Sequence, residues 1–403
     1  MSGARYRWVV LAVGTAAQAT VAAAAISVAV LAPELRQELG LSLGETGVTL
    51  AAFGIGMTPT LLPWGLFTDR IGERVVLPLG LSTSAIALGF VGIASGFAKL
   101  VLLLVAAGAL GASVNAASGR AVMHWFAPSE RGLALGIRQA NVPLGGLVAA
   151  LALPPLADNA GLGWAFAALA GTCLAAAFAG AVLLREPTAV TVEAHAPAPS
   201  KPLRDPALWR ISSGSGLIVV GQIATMSFTV LYLSEGRGFS TRDAALVYAA
   251  SQVVGGALRI LLGHISDRFG SRIVPLCRAA LAVSGTLALV AAFAGLPNWA
   301  LVPMLALAGG IGLSWNGLSF VAAAEIAGAR ASGAAIGLQQ TMLGVAGILA
   351  PIGFATLVAE GSWRIAFLVA ALFPLAGWAV IHPLAARTRP RVQAPLASSA
   401  TAD

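Results

Sequence analysis

The chain has 403 residues, 58% of them hydrophobic and only 10% charged, with a formal net charge of +8. Ordinary soluble domains carry about 25% charged residues, so this composition excludes a soluble globular protein and points to a bilayer. The two cysteines, Cys173 and Cys277, both lie in apolar stretches, which excludes a disulfide framework and a cysteine-built metal site.

In chain order, apolar stretches predict twelve spans at 8–33, 45–66, 75–95, 99–124, 131–154, 162–184, 207–233, 243–265, 273–295, 299–325, 330–357 and 363–383. Each has roughly the twenty residues that a helix needs to cross about 30 Å of hydrocarbon. The runs are continuous rather than alternating, which predicts helices and not barrel strands. The run behind "MSGARYRW" is too long for the core of a signal peptide and reads as a retained first span. Abundant Gly and Ala suit close helix packing. Between the sixth and seventh spans, "REPTAVTVEAHAPAPSKPLRDP" is rich in Pro, Ala, Thr and charge, the composition of a flexible linker.

Basic residues distribute unevenly about these spans. With the N-terminus in the cytoplasm, the inner segments hold Arg5, Arg7, Arg70, Arg74, Arg131, Arg185, Lys201, Arg204, Arg210, Arg268, Arg272, Arg330, Arg387, Arg389 and Arg391. The outer ones hold only Arg36, Lys99, Arg237, Arg242 and Arg364. This is a positive-inside bias that puts both termini in the cytoplasm, and the net positive charge is a topology signal. No basic groove with stacking aromatics accompanies it, so a nucleic-acid partner is not expected.

The chain also repeats itself. "GLFTDRIGER" at Gly65 to Arg74 recurs as "GHISDRFGSR" at Gly263 to Arg272, "GASVN" at Gly111 as "GLSWN" at Gly312, and "GIRQ" at Gly136 as "GLQQ" at Gly337, each about 200 residues on and in the same order. Duplication of a six-helix unit is the simplest reading. The expected fold is an all-α membrane protein of twelve transmembrane helices in two pseudo-symmetric six-helix bundles. The expected boundaries are 1–184 and 207–386 for the bundles, 185–206 for a cytoplasmic linker and 387–403 for a cytoplasmic tail.

On these motifs the sequence resembles the major facilitator superfamily of secondary transporters over nearly its whole length. That resemblance implies two bundles about an axis along the membrane normal, with a central site exposed alternately to each side. The repeated phrase falls where the superfamily carries its loop signature. Gly65 and Gly263 are expected to let helices approach closely. Asp69, Arg70, Arg74, Asp267, Arg268 and Arg272, with Glu130 and Glu325 as extra acceptors, are expected to form a conformational latch; capping helices and marking the inner side is the competing role for these charges.

Ionisable residues inside a span need a reason. Arg120 and Arg278 lie near span ends, where snorkelling explains them. Arg138 and Arg259 are expected deeper, each on a polar helical face, Arg138 with Asn141 and Arg259 with Gln252. One cation in each half suits a clasp around a small anion, because a guanidinium is permanently charged and offers paired donors. The stretch from Arg259 to Arg268 also resembles the eighth helix of monocarboxylate and oxalate carriers, which implies carboxylate binding by Arg259. Gly255 stands where animal monocarboxylate carriers place an Asp, and Gln339 and Gln340 occupy the region where oxalate carriers have a lysine. "RGLALGIRQANVPLGG" resembles cyanate and nitroimidazole permeases.

Gln18, Asn115, Gln222 and Asn316 fall mid-span in the first, fourth, seventh and tenth helices, which line the cavity in the superfamily. Substrate contact and helix-to-helix hydrogen bonding are both open to them. Trp315 either walls the site or packs. No carboxylate lies at mid-membrane, so no proton relay is legible and a coupling proton stays open.

The expected function is transport of a small organic anion, carboxylate-like or cyanate-like, by secondary active or facilitative alternating access in a bacterial inner membrane. The protein is expected to act as a monomer with no cofactor or metal. The alternative is proton-coupled efflux of drugs or other small hydrophobic solutes, supported by "NVPLGG" in the fifth span, which partly matches an antiporter motif. No nucleophile and base set, phosphate-cradling loop or metal spacing suggests an enzyme.

Overall fold

The computed structural model describes residues 3–126, 134, 137–185, 205–269, 271–327 and 332–386. Among them are twelve helices long and apolar enough to cross a membrane, and no strand. They are α1 (Gly3–Val30), α2 (Leu43–Ile71), α3 (Glu73–Val91), α4 (Phe97–Gly111 continued by Ser113–Trp125), α5 (Asn141–Ala160) and α6 (Leu162–Leu183). In the second half they are α7 (Pro206–Arg237), α8 (Thr241–Phe269), α9 (Ile273–Ala292), α10 (Asn298–Ser314 continued by Asn316–Ala327), α11 (Ser332–Glu360) and α12 (Trp363–Ile381). A short helix, Ala32–Leu39, follows α1.

Local chemistry sets these ends. Ser42 and Glu45 form a reciprocal capping box at the start of α2, satisfying two backbone donors that the helix cannot. Asp205 caps α7 with Pro206 at its first position, where a missing N–H costs nothing. The fifth span departs most from expectation. It was expected from residue 131, but the long helix begins at Asn141 after a turn at Gln139 and Ala140. Pro143 fits that start, since its absent N–H falls in the first turn.

The two halves repeat one packing scheme. In the first, α1 packs on α5, α2 on α4 and α3 on α6; in the second, α7 packs on α11, α8 on α10 and α9 on α12. The halves meet through α2 with α11 and α5 with α8, a pair of contacts that exchange under the pseudo-symmetry, and through α1 with α7. Close approach falls at glycines other than those expected. A Cβ at Gly65 or Gly263 would meet nothing within 4 Å, whereas one at Gly145 would lie 2.6 Å from the Ala19 carbonyl of α1. The phrase glycines therefore do not mark the tight helix contacts.

We call the end holding Gly3 and Ala386 the near end and the opposite one the far end. At the far end the halves are joined. Arg36, after α1, pairs with Glu235 on α7, and a Cβ at Gly47 of α2 would sit 2.6 Å from the Ala355 Cβ of α11. Midway, a Cβ at Gly344 would sit 2.7 Å from the Thr58 side chain. Leu62, one turn nearer the near end than Thr58, is 72% exposed, and Gln340, one turn from Gly344, is exposed too.

Candidate functional site

The polar side chains of the first half form one chain of hydrogen bonds. Asn141 Nδ2 donates to Gln18 Oε1 at 2.6 Å, and Gln18 Nε2 donates to Asn115 Oδ1 at 2.7 Å. Asn115 Nδ2 then faces the Met57 sulfur at 3.9 Å. Thus α1, α4 and α5 are tied together by amides that sit in otherwise apolar helices, where leaving any one unpaired would cost about 1–3 kcal/mol.

The second half carries a shorter version. Asn316 Nδ2 donates to Gln222 Oε1 at 3.1 Å, and Gln222 Nε2 faces the Met226 sulfur at 3.3 Å. Gln339 Nε2 reaches Ser215 Oγ at 3.4 Å, joining α11 to α7. The asparagines follow breaks in their helices: α4 is interrupted at Ala112 and α10 at Trp315.

These bonds do not use every polar atom. Asn141 Oδ1, Asn316 Oδ1, Gln339 Oε1, Trp315 Nε1 and both amide atoms of Gln252 are buried without a hydrogen-bond partner. Gln252 packs across the interface between halves, so that a Cβ at Gly146 of α5 would lie 2.8 Å from its Oε1. Native interiors leave few such atoms orphaned, and these lie on or beside α5, α8, α10 and α11.

Both deep arginines reach this region. Arg138 lies before α5 rather than two turns inside it, a consequence of the turn at Gln139 and Ala140. Its guanidinium extends to the first half's network, with Nη2 donating to the Asn115 carbonyl at 2.8 Å and Nε to Ser118 Oγ at 3.0 Å. Arg259 donates from Nε and Nη2 to the Leu313 carbonyl, at 3.2 and 2.9 Å, beside the break in α10. Its Nη1 crosses to the first half and donates to the Gln139 carbonyl at 3.0 Å. No carboxylate pairs with either guanidinium among the described residues. Peptide carbonyls offer partial negative charge only, so the half-buried site retains a net positive character.

Gln340 stands apart from this set and is exposed. Of the latch residues, Arg272 Nε meets Glu325 at 3.2 Å and its Nη1 bonds to Ser266 Oγ, all inside the second half. This pair ties α9 to α10 within the second bundle. Arg70 and Arg74 are exposed. Glu130 and the side chains of Asp69, Asp267 and Arg268 lie outside the described residues.

The sequence reading missed an acid. Glu73, within the first repeated phrase, is 3% exposed and meets Arg120 Nε at 3.3 Å and His124 Nδ1 at 3.4 Å, while Arg120 also donates to the Thr68 carbonyl. The second copy has Ser271 at this place, and this loss of an acid, one of five differences between the two copies, was the available signal. No group of three His, Cys, Asp or Glu among the described residues could hold a metal ion.

Comparison with known proteins adds three findings. The family model of the Major Facilitator Superfamily matches residues 13–351. An MFS-type transporter of Mycobacterium tuberculosis is 31% identical over 93% of this chain and 84% of its own, and a probable sulfoacetate transporter of Cupriavidus necator is 26% identical over 85% and 86%. A bacterial homologue of the human lysosomal transporter Spinster, crystallised in an inward-facing, unoccupied conformation, shares the fold with a TM-score of 0.76 at 18% identity, covering 95% of this chain and 97% of that one.

Proposed function

Because the chain belongs to the Major Facilitator Superfamily, we propose that it carries a small organic anion, carboxylate-like or cyanate-like, across the membrane by alternating access. Members of this family are transporters and not enzymes, and this chain is a multi-pass membrane protein. The observation that carries the substrate class is the pair Arg138 and Arg259, two half-buried cations from opposite halves with no carboxylate to neutralise them. An anion placed between them would gain two charge-assisted contacts, and the orphaned amides of Gln252, Asn141, Asn316 and Gln339 would supply neutral hydrogen bonds around it. Trp315 Nε1 is a further donor. The relative named for sulfoacetate, itself a small organic anion, supports the same class.

In this reading the far end is closed by Arg36 with Glu235, and the near end, with both termini on the cytoplasmic side of a bacterial inner membrane, is the open one. The protein works as a monomer, each half supplying one arginine. Arg272 with Glu325, and the neighbouring loop charges, serve as the latch that changes partners between states.

The deciding experiment is thermal stabilisation of the purified protein against carboxylates, cyanate, nitrate, sugars and cationic dyes. A ligand at about 100 times its Kd adds about 2.7 kcal/mol, enough to read as a shifted midpoint. Stabilisation by an anion that Arg138→Ala and Arg259→Ala each sharply reduce is the expected result. Stabilisation by dyes or sugars that survives both substitutions would replace the anion by a neutral or cationic solute.

A further inference from the structure

The residues that join the two halves at the far end include an acid with no cation bound to it. Glu34 lies on the short helix Ala32–Leu39 of the first half, two residues before the Arg36 that pairs with Glu235 of the second. Its Oε2 is buried without a hydrogen-bond partner, and its other influence from across the interface is the hydroxyl of Thr241, the first residue of α8. A carboxylate oxygen that water cannot reach and no donor meets disfavours the charged form.

The charged groups around it are otherwise occupied. On its own helix Arg36 is committed to Glu235, and Glu38 is exposed. From α7, Arg237 is spent on the Asn298 side chain and the carbonyls of Ala294 and Leu296. From α2, Glu45 closes the capping box with Ser42. At the start of α8, Asp243 is held by Ser240, and Arg242 is exposed. Asp158, at the end of α5, adds negative charge near Glu34, and α1 brings no titratable group to this end.

We propose that Glu34 is a proton-binding residue of the far-end gate, taking up a proton from the far side as the two halves close there. Burial holds its carboxyl above the usual carboxylate range, Thr241 and its own backbone amide work against that rise, and Asp158 adds to it. When the halves separate, Glu34 returns to water and to an ordinary carboxylate of about 4.3. The closed end thus binds the proton more tightly than the open one. Between the two pKa values, falling pH must favour closure, and rising pH must favour opening. The proton is taken from the far side on closure and returned to it on opening, so far-side pH sets how readily that mouth closes without moving a proton across the membrane.

The inference rests on alternating access but not on the identity of the solute. Its test uses the full chain in lipid vesicles without substrate, with Cys173→Ala and Cys277→Ala removing the native thiols. Spin labels on Ser95→Cys of the first half and Glu360→Cys of the second, both exposed at the far end, report the distance between halves. The expected result is a shift from long to short distances on acidification, with a midpoint above about 4.3. In Glu34→Gln, a neutral mimic, the short distance should persist at every pH. Thr241→Val removes a group that favours the charged form and should raise the midpoint. A wild-type distance that ignores pH, or a transition that survives in Glu34→Gln, overturns the assignment. Neither result bears on the anion site, which binding to Arg138 and Arg259 variants tests separately.

Discussion

Arg259 of the second half donates to the backbone carbonyl of Gln139, the residue that follows Arg138 in the first half. The two half-buried cations are therefore not independent. One of them holds the peptide that positions the other, and it does so across the interface between the halves.

Substitution of either arginine should cost solute binding, but for different reasons. Arg138→Ala removes one cation and releases Ser118 and the Asn115 carbonyl. Arg259→Ala removes the other cation and also frees Gln139. Each loss of a charge-assisted contact is expected to weaken binding by about tenfold to a hundredfold, at 1.5–3 kcal/mol per contact. The Lys variants should recover charge but not the forked contact with the Leu313 carbonyl, and so restore Arg138 more fully than Arg259. Titration by thermal shift reads both; equal rescue by Lys at the two positions would remove the forked geometry from the argument.

Gln18 stands in the middle of the first half's amide chain, whereas Gln222 in the second half has one amide partner. Gln18→Leu strands Asn115 and Asn141 together. It should lower stability by about 2–4 kcal/mol, against about 1–2 kcal/mol for Gln222→Leu. Thermal unfolding in detergent decides the order, and a larger loss at Gln222 contradicts the network as described.

Gly47→Val should hold the far end apart. Its Cβ would sit 2.6 Å from Ala355 and 2.9 Å from the Pro351 carbonyl, and backbone cannot swing away as a side-chain tip can. Overpacking of this kind costs about 1–3 kcal/mol, which here falls on one conformational state and not on the whole fold. Labelling of Ala355→Cys by a membrane-impermeant thiol reagent should rise in the Val variant; unchanged labelling would mean that α2 and α11 yield elsewhere.

Glu73→Gln should loosen the near end of the first half. The carboxylate is buried while Arg120 and His124 are partly exposed, so the usual penalty for breaking a buried pair is reduced to about 1–3 kcal/mol. Ser271→Glu in the second half should not compensate, because no cation stands at Val321, the counterpart of Arg120. Melting curves of the single and double variants separate these outcomes.

The sequence made the architecture legible because each level carried its own signal. Apolar length marked the spans, and the recurrence of "GLFTDRIGER" as "GHISDRFGSR" marked the duplication. The polar members of the site were visible as amides out of place in apolar helices. Their partners were not. Whether Gln18 meets Asn115 depends on how α1 and α4 rotate against each other, which periodicity within one helix does not encode. Arg138 was misplaced because its segment reads as continuous apolar helix, while the turn at Ala140 interrupts it. Glu73 escaped notice because an acid beside a loop signature looks solvated until Arg120 folds over it. The backbone carbonyls of Gln139 and Leu313, which bind Arg259, carry no sequence signal at all.

The crossing of α2 and α11 has a mechanical consequence. Thr58 and Gly344 touch there, the far-end arm of α2 runs back to Gly47, and the near-end arm runs on to Ile71. At 1.5 Å per residue these arms measure roughly 16 and 20 Å, so a tilt of about 10° about the crossing moves the tips by roughly 3 Å in opposite directions. In the proposed rocking of the halves the helix pair acts as a nearly balanced seesaw: what one mouth gains in aperture the other surrenders in almost equal measure, about a pivot where Thr58 meets Gly344.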